Sequence, residues 1–122
     1  MMKKLLLIGD DQLVRHGLRI RLALERDITI VGEVGNGAKA MAQMLTLQPD
    51  IIVIDLVMPN DENLTAIASI RKAYPSCAVI LLSLYDEDTT RISAQAAGAA
   101  EFVGKREGVP ALLEAIRRVS KQ

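Results

Sequence analysis

At 122 residues, half of them hydrophobic and with 15 basic residues offset by 15 acidic ones, the chain has the size and apolar content of one globular domain. Zero net charge with scattered basic residues argues against a broad cationic surface, so direct nucleic-acid binding by this chain is not expected, and no window approaches the roughly 18 apolar residues of a membrane span. The single cysteine, Cys77, allows no internal disulfide, and no cluster of His and Cys offers a zinc site.

The start, MMKKLLLIGDD, sets lysines before leucines, but its apolar run stops at Asp10 and Asp11, too short for a signal-peptide core; a cytoplasmic location is the expectation. Lys4 to Ile8 reads as a first strand. Gln12 to about Glu25 reads as a helix because Val14, Leu18 and Leu22 recur every four residues. Its neighbourhood carries Arg15, His16, Arg19, Arg21 and Arg26, for which a solvated face is a plainer reading than a partner-docking surface. Ile28 to Val34 is a second strand. After Gly35-Asn36-Gly37, an apolar stripe of Ala38, Met41, Ala42 and Leu45 marks a second helix, ended at Gln48-Pro49 because proline disfavours helix in the residue before it.

The third strand, Ile51 to Asp55, is an unbroken apolar run that stops on a carboxylate and turns through Met58-Pro59. A helix from about Glu62 to Ala73 turns Leu64, Ile67 and Ile70 inward, and Tyr74-Pro75-Ser76 stops it. Ala78 to Ser83 is the fourth strand, beside which Cys77 reads as an inert packing thiol rather than a nucleophile. The fourth helix, about Asp88 to Ala97, is opened by a capping aspartate and ended by Gly98; its small apolar residues predict a weaker hold on the core. A short strand, Glu101 to Gly104, leads to a last helix with Pro110 in its first turn, Leu112, Leu113, Ile116 and Val119 inward, and an end near Ser120.

Strands that are apolar throughout rather than alternating belong in a parallel sheet covered on both faces. The expected fold is α/β, a flavodoxin-like doubly wound (βα)5 sandwich with a parallel five-stranded sheet of order 2-1-3-4-5, one domain filling residues 1–122. In such sheets the site lies at the carboxyl ends of the strands, near the reversal of strand order. Those ends carry Asp10 and Asp11, then Asp55, then Ser83, then Lys105. Two like charges about 4 Å apart repel by roughly 4 kcal/mol at an effective dielectric of 20, so three clustered carboxylates call for a cation. Oxygen-only ligands with room for water and phosphate suit Mg2+. A carboxylate can then attack phosphorus to form an acyl phosphate, with Mg2+ and the lysine offsetting phosphoryl charge and Ser83 donating a hydrogen bond. Singly, each residue has a plainer role: Asp10 or Asp11 as a helix cap, Ser83 as a satisfied strand end, Lys105 as a solvated loop residue. Their coincidence at successive strand ends favours the joint reading.

Across essentially its whole length the chain resembles the receiver domain of two-component response regulators, in the acidic pair of LLIGDDQ, the acceptor of VIDLVMPN, the hydroxyl of VILLSLYD and the lysine of EFVGKRE. The resemblance implies that Asp55 is phosphorylated by a histidine kinase. It implies that Asp11 ligates Mg2+ directly and Asp10 through water, with Asp55 and the Val57 backbone carbonyl completing the protein ligands. Ser83 and Lys105 would bind the phosphoryl group, and Phe102, three residues before the lysine, would be an aromatic switch coupled to Ser83; core filling is its plainer role. The expected product is a phosphoacceptor switch rather than an enzyme in the ordinary sense, moving the face formed by the fourth helix, fifth strand and fifth helix, with a homodimer among its possible assemblies.

The first half of the chain looks most like the NarL/FixJ type, whose members usually carry a helix-turn-helix output domain; the chain is then either a receiver from a longer transcription regulator or a stand-alone one. Three departures from the family pattern stand near the site. Lys105 is followed by Arg106 rather than proline, so a cis peptide is not expected there. Asn60 and Asn63 replace glycines after Met-Pro, and Leu84 is larger than the usual alanine, which predicts slower attack of water on the phosphorylated form. Among other readings, an aspartyl phosphatase would carry a D-x-D pair after one strand, and a flavodoxin a hydroxyl-rich loop where Asp10 and Asp11 stand. A pseudo-receiver, working as an interaction module without phosphorylation, is the third.

Overall fold

The computed structural model describes residues 2–56, 61–85 and 87–120. Five strands, β1 (Lys3–Gly9), β2 (Ile28–Val34), β3 (Ile51–Leu56), β4 (Ala78–Ser83) and β5 (Glu101–Gly104), alternate with helices α1 (Gln12–Leu22), α2 (Gly37–Leu47), α3 (Asp61–Ala73), α4 (Asp88–Ala97) and α5 (Gly108–Ser120). All four strand pairings are parallel and the order is β2-β1-β3-β4-β5, the doubly wound arrangement expected from the apolar runs.

The two-residue period of a strand divides the core. On one face Leu6, Ile8, Ile52, Ile54, Val79 and Leu81 meet Ala40, Met44, Ile67, Ile70 and Ala94 of α2, α3 and α4. On the other, Leu5, Leu7, Val53, Ile80 and Leu82 meet Leu22 of α1 and Leu112, Leu113 and Ile116 of α5. All six residues of β3, the central strand, are buried, Asp55 among them.

Several local expectations are corrected. Helix α1 ends at Leu22 with Ala23 as its cap rather than near Glu25, and only the lower part of its stripe is covered: Leu22 is buried, whereas Val14 is 44 % exposed. The buried side of α2 is Gly37, Ala40 and Met44, with Met41 partly covered; Ala38 and Ala42 face out and Leu45 is 74 % exposed. Lys39, Gln43 and Thr46 recur on one side of the helix and mark its polar face; Gly37, Ala40 and Met44 lie opposite, and at Gly37 a Cβ would stand 2.3 Å from the Cβ of Ala66 on α3. Asp88 is the first residue inside α4, not its cap; the cap position is Glu87, which makes no side-chain capping bond. The weak hold expected of α4 is present, since Ala94 is its one buried residue.

Before α5 the chain makes a 3-10 turn, Lys105–Glu107, so α5 starts at Gly108 and Pro110 falls inside its first turn. No cis peptide occurs among the described residues, so the bond after Lys105 is trans, as expected from Arg106. Cys77 is buried, and burial pushes its thiol up to about 11, which keeps it protonated and fits a packing role.

Candidate phosphoryl-transfer site

The parallel register brings the chemistry to one edge. Asp55 is level with Gly9 of β1 and with Leu82 of β4, and Leu56 is level with Ser83; Ser83 in turn is level with Gly104 of β5, directly before Lys105. Gly9 permits this closeness: a Cβ there would lie 3.3 Å from the Asp55 carbonyl oxygen and 3.5 Å from its Cβ.

Asp55 is 6 % exposed, and its Oδ1 stands 2.5 Å from Lys105 Nζ. The contact is an ion pair, and this buried oxygen, with more than one lone pair, has no other partner among the described residues. Burial, the largest influence, holds the Asp55 carboxyl above the ordinary carboxylate range; Lys105 pulls it back down, and the negative charges of Asp10 and Asp11 push it up again. Ser83 is wholly buried, and its Oγ accepts a hydrogen bond from the Tyr85 N–H at 3.1 Å. Leu84 and Tyr85 beyond it are exposed.

Asp10 and Asp11 lie at the end of β1 with exposed side chains. The helix-capping alternative is realised at Asp11, whose Oδ1 accepts from the N–H groups of Leu13 at 3.0 Å and Val14 at 3.2 Å. Among the described residues no three His, Cys, Asp or Glu side chains are gathered closely enough to hold a metal, so the expected Asp10, Asp11 and Asp55 ligand set is not assembled in this arrangement. The donor chemistry nevertheless suits a hard divalent cation: the groups are carboxylates within electrostatic range of one another, and one buried oxygen is incompletely bonded. Val57, expected to add a carbonyl, lies outside the described residues, as do Met58, Pro59 and Asn60.

Phe102 of β5 is half-buried against the core on the α4 side, and the Arg91 guanidinium of α4 lies 4.6 Å from its ring centroid. Sequence reasoning missed the supports around the site. Arg15, read as part of a solvated face, is half-buried; it donates from Nη1 to the Gly9 carbonyl and from Nε to Glu33 Oε1 of β2 at 3.1 Å, while Arg19 Nη1 reaches Glu33 Oε2 at 2.9 Å. The available signal was a lone acid in an apolar strand opposite arginines four residues apart on one helix face. Glu107 was likewise passed over. Beside Asp55 and Lys105 a groove of about 350 Å³ opens between α1 and α5, lined by Leu13, Val14, Leu18, Val109 and Leu112.

Comparison with known proteins agrees with this fold. A family model described as a response regulator receiver domain matches residues 5–117. The response regulator protein VraR of Staphylococcus aureus is 31% identical over 118 residues, covering 97% of this chain and 56% of that protein. The chain thus spans about half the length of the curated relatives it matches. Among solved structures, the signal receiver domain of a response regulator NarL from Mycobacterium tuberculosis superposes with a TM-score of 0.87 at 27% identity, covering 98% of this chain and 97% of that one. The response regulator domain of Thermotoga maritima CheB gives 0.87 at 28% identity, covering 100% of this chain and 98% of that one.

Proposed function

The chain belongs to the response regulator receiver domain family, whose members are signalling switches rather than classical enzymes, and from that premise we propose that Asp55 is the phosphoacceptor of a two-component system. A histidine kinase is the donor: a carboxylate oxygen of Asp55 attacks phosphorus, the bond from phosphorus to the imidazole nitrogen breaks, and an acyl phosphate remains on Asp55. Mg2+, held by Asp10, Asp11, Asp55 and the Val57 carbonyl, would neutralise charge on the phosphoryl oxygens. The Lys105 ammonium, already beside Oδ1, passes to a phosphoryl oxygen, and the Ser83 hydroxyl donates to another. The observation that carries the reading is a buried carboxylate at the end of the central strand, paired at 2.5 Å with a lysine in the turn just beyond the edge strand.

The phosphoryl group replaces the single charge of the Asp55 carboxylate by up to two, a gain of about one negative charge, and adds three acceptor oxygens at the strand ends. Ser83 and Phe102 transmit the change to the face of α4, β5 and α5, a proposal favoured by the slight anchoring of α4. The whole protein is a cytoplasmic transcription regulator in which this domain, residues 1–122, acts through a DNA-binding output domain and a homodimer. That part rests on the match to the longer response regulator protein VraR, of which this chain covers 56%, and on the likeness of its first half to NarL/FixJ-type receivers.

Intact-mass measurement after incubation with acetyl phosphate and Mg2+ is expected to show one phosphoryl adduct on the native chain and none on Asp55→Asn. An adduct that persists on the variant removes Asp55 as the acceptor. No adduct on either chain favours an interaction module that works without phosphorylation.

A further inference from the structure

Next to Lys105 stand groups that phosphoryl transfer does not itself use. Glu107 ends the 3-10 turn that Lys105 begins, and its Oε2 accepts a hydrogen bond from the Gly104 backbone N–H at 2.7 Å. At the other end of the turn, the Gly108 N–H donates to the Lys105 carbonyl. Gly104 is the register partner of Ser83, so this bond is made at the point where the strands present both phosphoryl-binding side chains. The Arg91 Nη2 of α4 lies 3.8 Å from the same Glu107 oxygen, while its guanidinium covers Phe102.

The turn needs such support. A 3-10 turn has poor hydrogen-bond geometry and persists only in short pieces, and Arg106 has no ring to restrict the backbone after Lys105. Lysine reaches its partner through a flexible stem whose ordering costs conformational entropy, so the position of its Cα decides how readily Nζ meets Asp55. A carboxylate accepting from an amide makes a charge-assisted bond, roughly twice as strong as a neutral one.

We propose that Glu107 is a positioning residue for the phosphoryl site: by bonding the Gly104 N–H it fixes the turn that aims Lys105 at Asp55, and Arg91 ties that turn to α4 and Phe102. The inference rests on the phosphoacceptor reading of Asp55. Glutamine at this position keeps an oxygen for the Gly104 N–H, whereas alanine does not.

The test is calorimetric titration of the native chain and its variants with beryllofluoride, a phosphoryl mimic, in saturating Mg2+. Glu107→Ala is expected to bind beryllofluoride about tenfold more weakly, equivalent to about 1.4 kcal/mol, with Mg2+ affinity unchanged because no metal ligand is touched. Glu107→Gln is expected to recover most of the loss. In a Lys105→Ala background, Glu107→Ala should weaken binding no further, since its effect passes through the lysine. Equal affinity of the native chain and Glu107→Ala overturns the proposal, and so does a loss of the same size in the Lys105→Ala background, which would mark a merely structural role. Should Glu107→Ala fail to unfold cooperatively, Arg91→Ala serves instead: a loss of two- to threefold supports the coupling and no loss overturns it. A native chain that binds no beryllofluoride would instead defeat the phosphoacceptor reading itself.

Discussion

Asp55 lies buried at the end of β3 with one cation beside it and two further carboxylates within electrostatic range. Burial is the largest influence on its ionisation and raises its pKa; Lys105 opposes this, and Asp10 and Asp11 add to it. A carboxyl that ionises less readily in the folded than in the unfolded chain lowers stability wherever it is charged in both, which is above the folded-state pKa. The penalty fades as pH falls and both states take up the proton. Asp55→Asn is therefore expected to raise the unfolding free energy measured by urea denaturation at pH 7 by on the order of 1 kcal/mol, the ordinary size of a single-site effect. The gain should shrink as the titration approaches about pH 4, near the unfolded-state value. A variant less stable than the native chain at neutral pH would show that the Lys105 pair outweighs desolvation.

At the scale of single elements, the structure contrasts a tightly seated α2 with a loosely seated α4. Helix α2 starts from Asn36, whose Oδ1 accepts from the Lys39 N–H at 2.9 Å, and its first residue, Gly37, lies against Ala66 of α3. Gly37→Ala would force the two helices apart and is expected to destabilise by about 1 to 3 kcal/mol in chemical denaturation, the range for overpacking. Pairing it with Ala66→Gly, which removes the opposing Cβ, should recover much of the loss; an unchanged double variant would mean that the penalty is not this contact. Helix α4 has no side-chain cap and one buried residue, so little resists its opening. Amide exchange is expected to be faster over Asp88–Ala97 than over any other helix, and to slow when beryllofluoride and Mg2+ are added. Protection in α4 equal to that in α3 would argue against it as the bistable element.

Across the whole molecule, ion pairs join elements distant in sequence. Arg117 of α5 reaches Glu25 at 2.7 Å and Asp27 at 3.1 Å in the turn between α1 and β2, and its hydrogen bonds are the largest cause holding both carboxyls below their usual range. Glu33 is held down chiefly by Arg19. Depressed carboxyls contribute stability that is present above their unfolded-state values of about 4 and is lost as pH falls through the lower folded-state values. Acid unfolding of Arg117→Ala should accordingly be shallower than that of the native chain, and an identical acid limb would show that these exposed pairs contribute nothing. No helix among the described residues is long and apolar enough to cross a membrane. The apolar runs of β1, β3 and β4 and the spacing of Asp10, Asp55, Ser83 and Lys105 made the fold and the edge that carries the chemistry legible in the sequence, because burial on both faces of a parallel sheet leaves a strand no polar positions except at its end. Helix faces were less legible: in α2 the polar residues Lys39, Gln43 and Thr46 mark the side away from the core, but its many apolar residues offer neighbouring stripes, and the close approach of Gly37 to Ala66 of α3 fixes the one that is buried. The supports of the site were legible least: Arg15 on the Gly9 carbonyl and Glu107 on the Gly104 N–H bond backbone groups, and a backbone group carries no residue identity by which a sequence could announce it. The sequence alone therefore determined the architecture and which polar residues stand at the strand ends, through hydrophobic pattern and position. Tertiary structure alone decided that Lys105 meets Oδ1 of Asp55, because that depends on the distance between the ends of β3 and β5, which local chemistry does not encode; the Asp11 cap and the Glu107 bond to Gly104 are local, made within three residues.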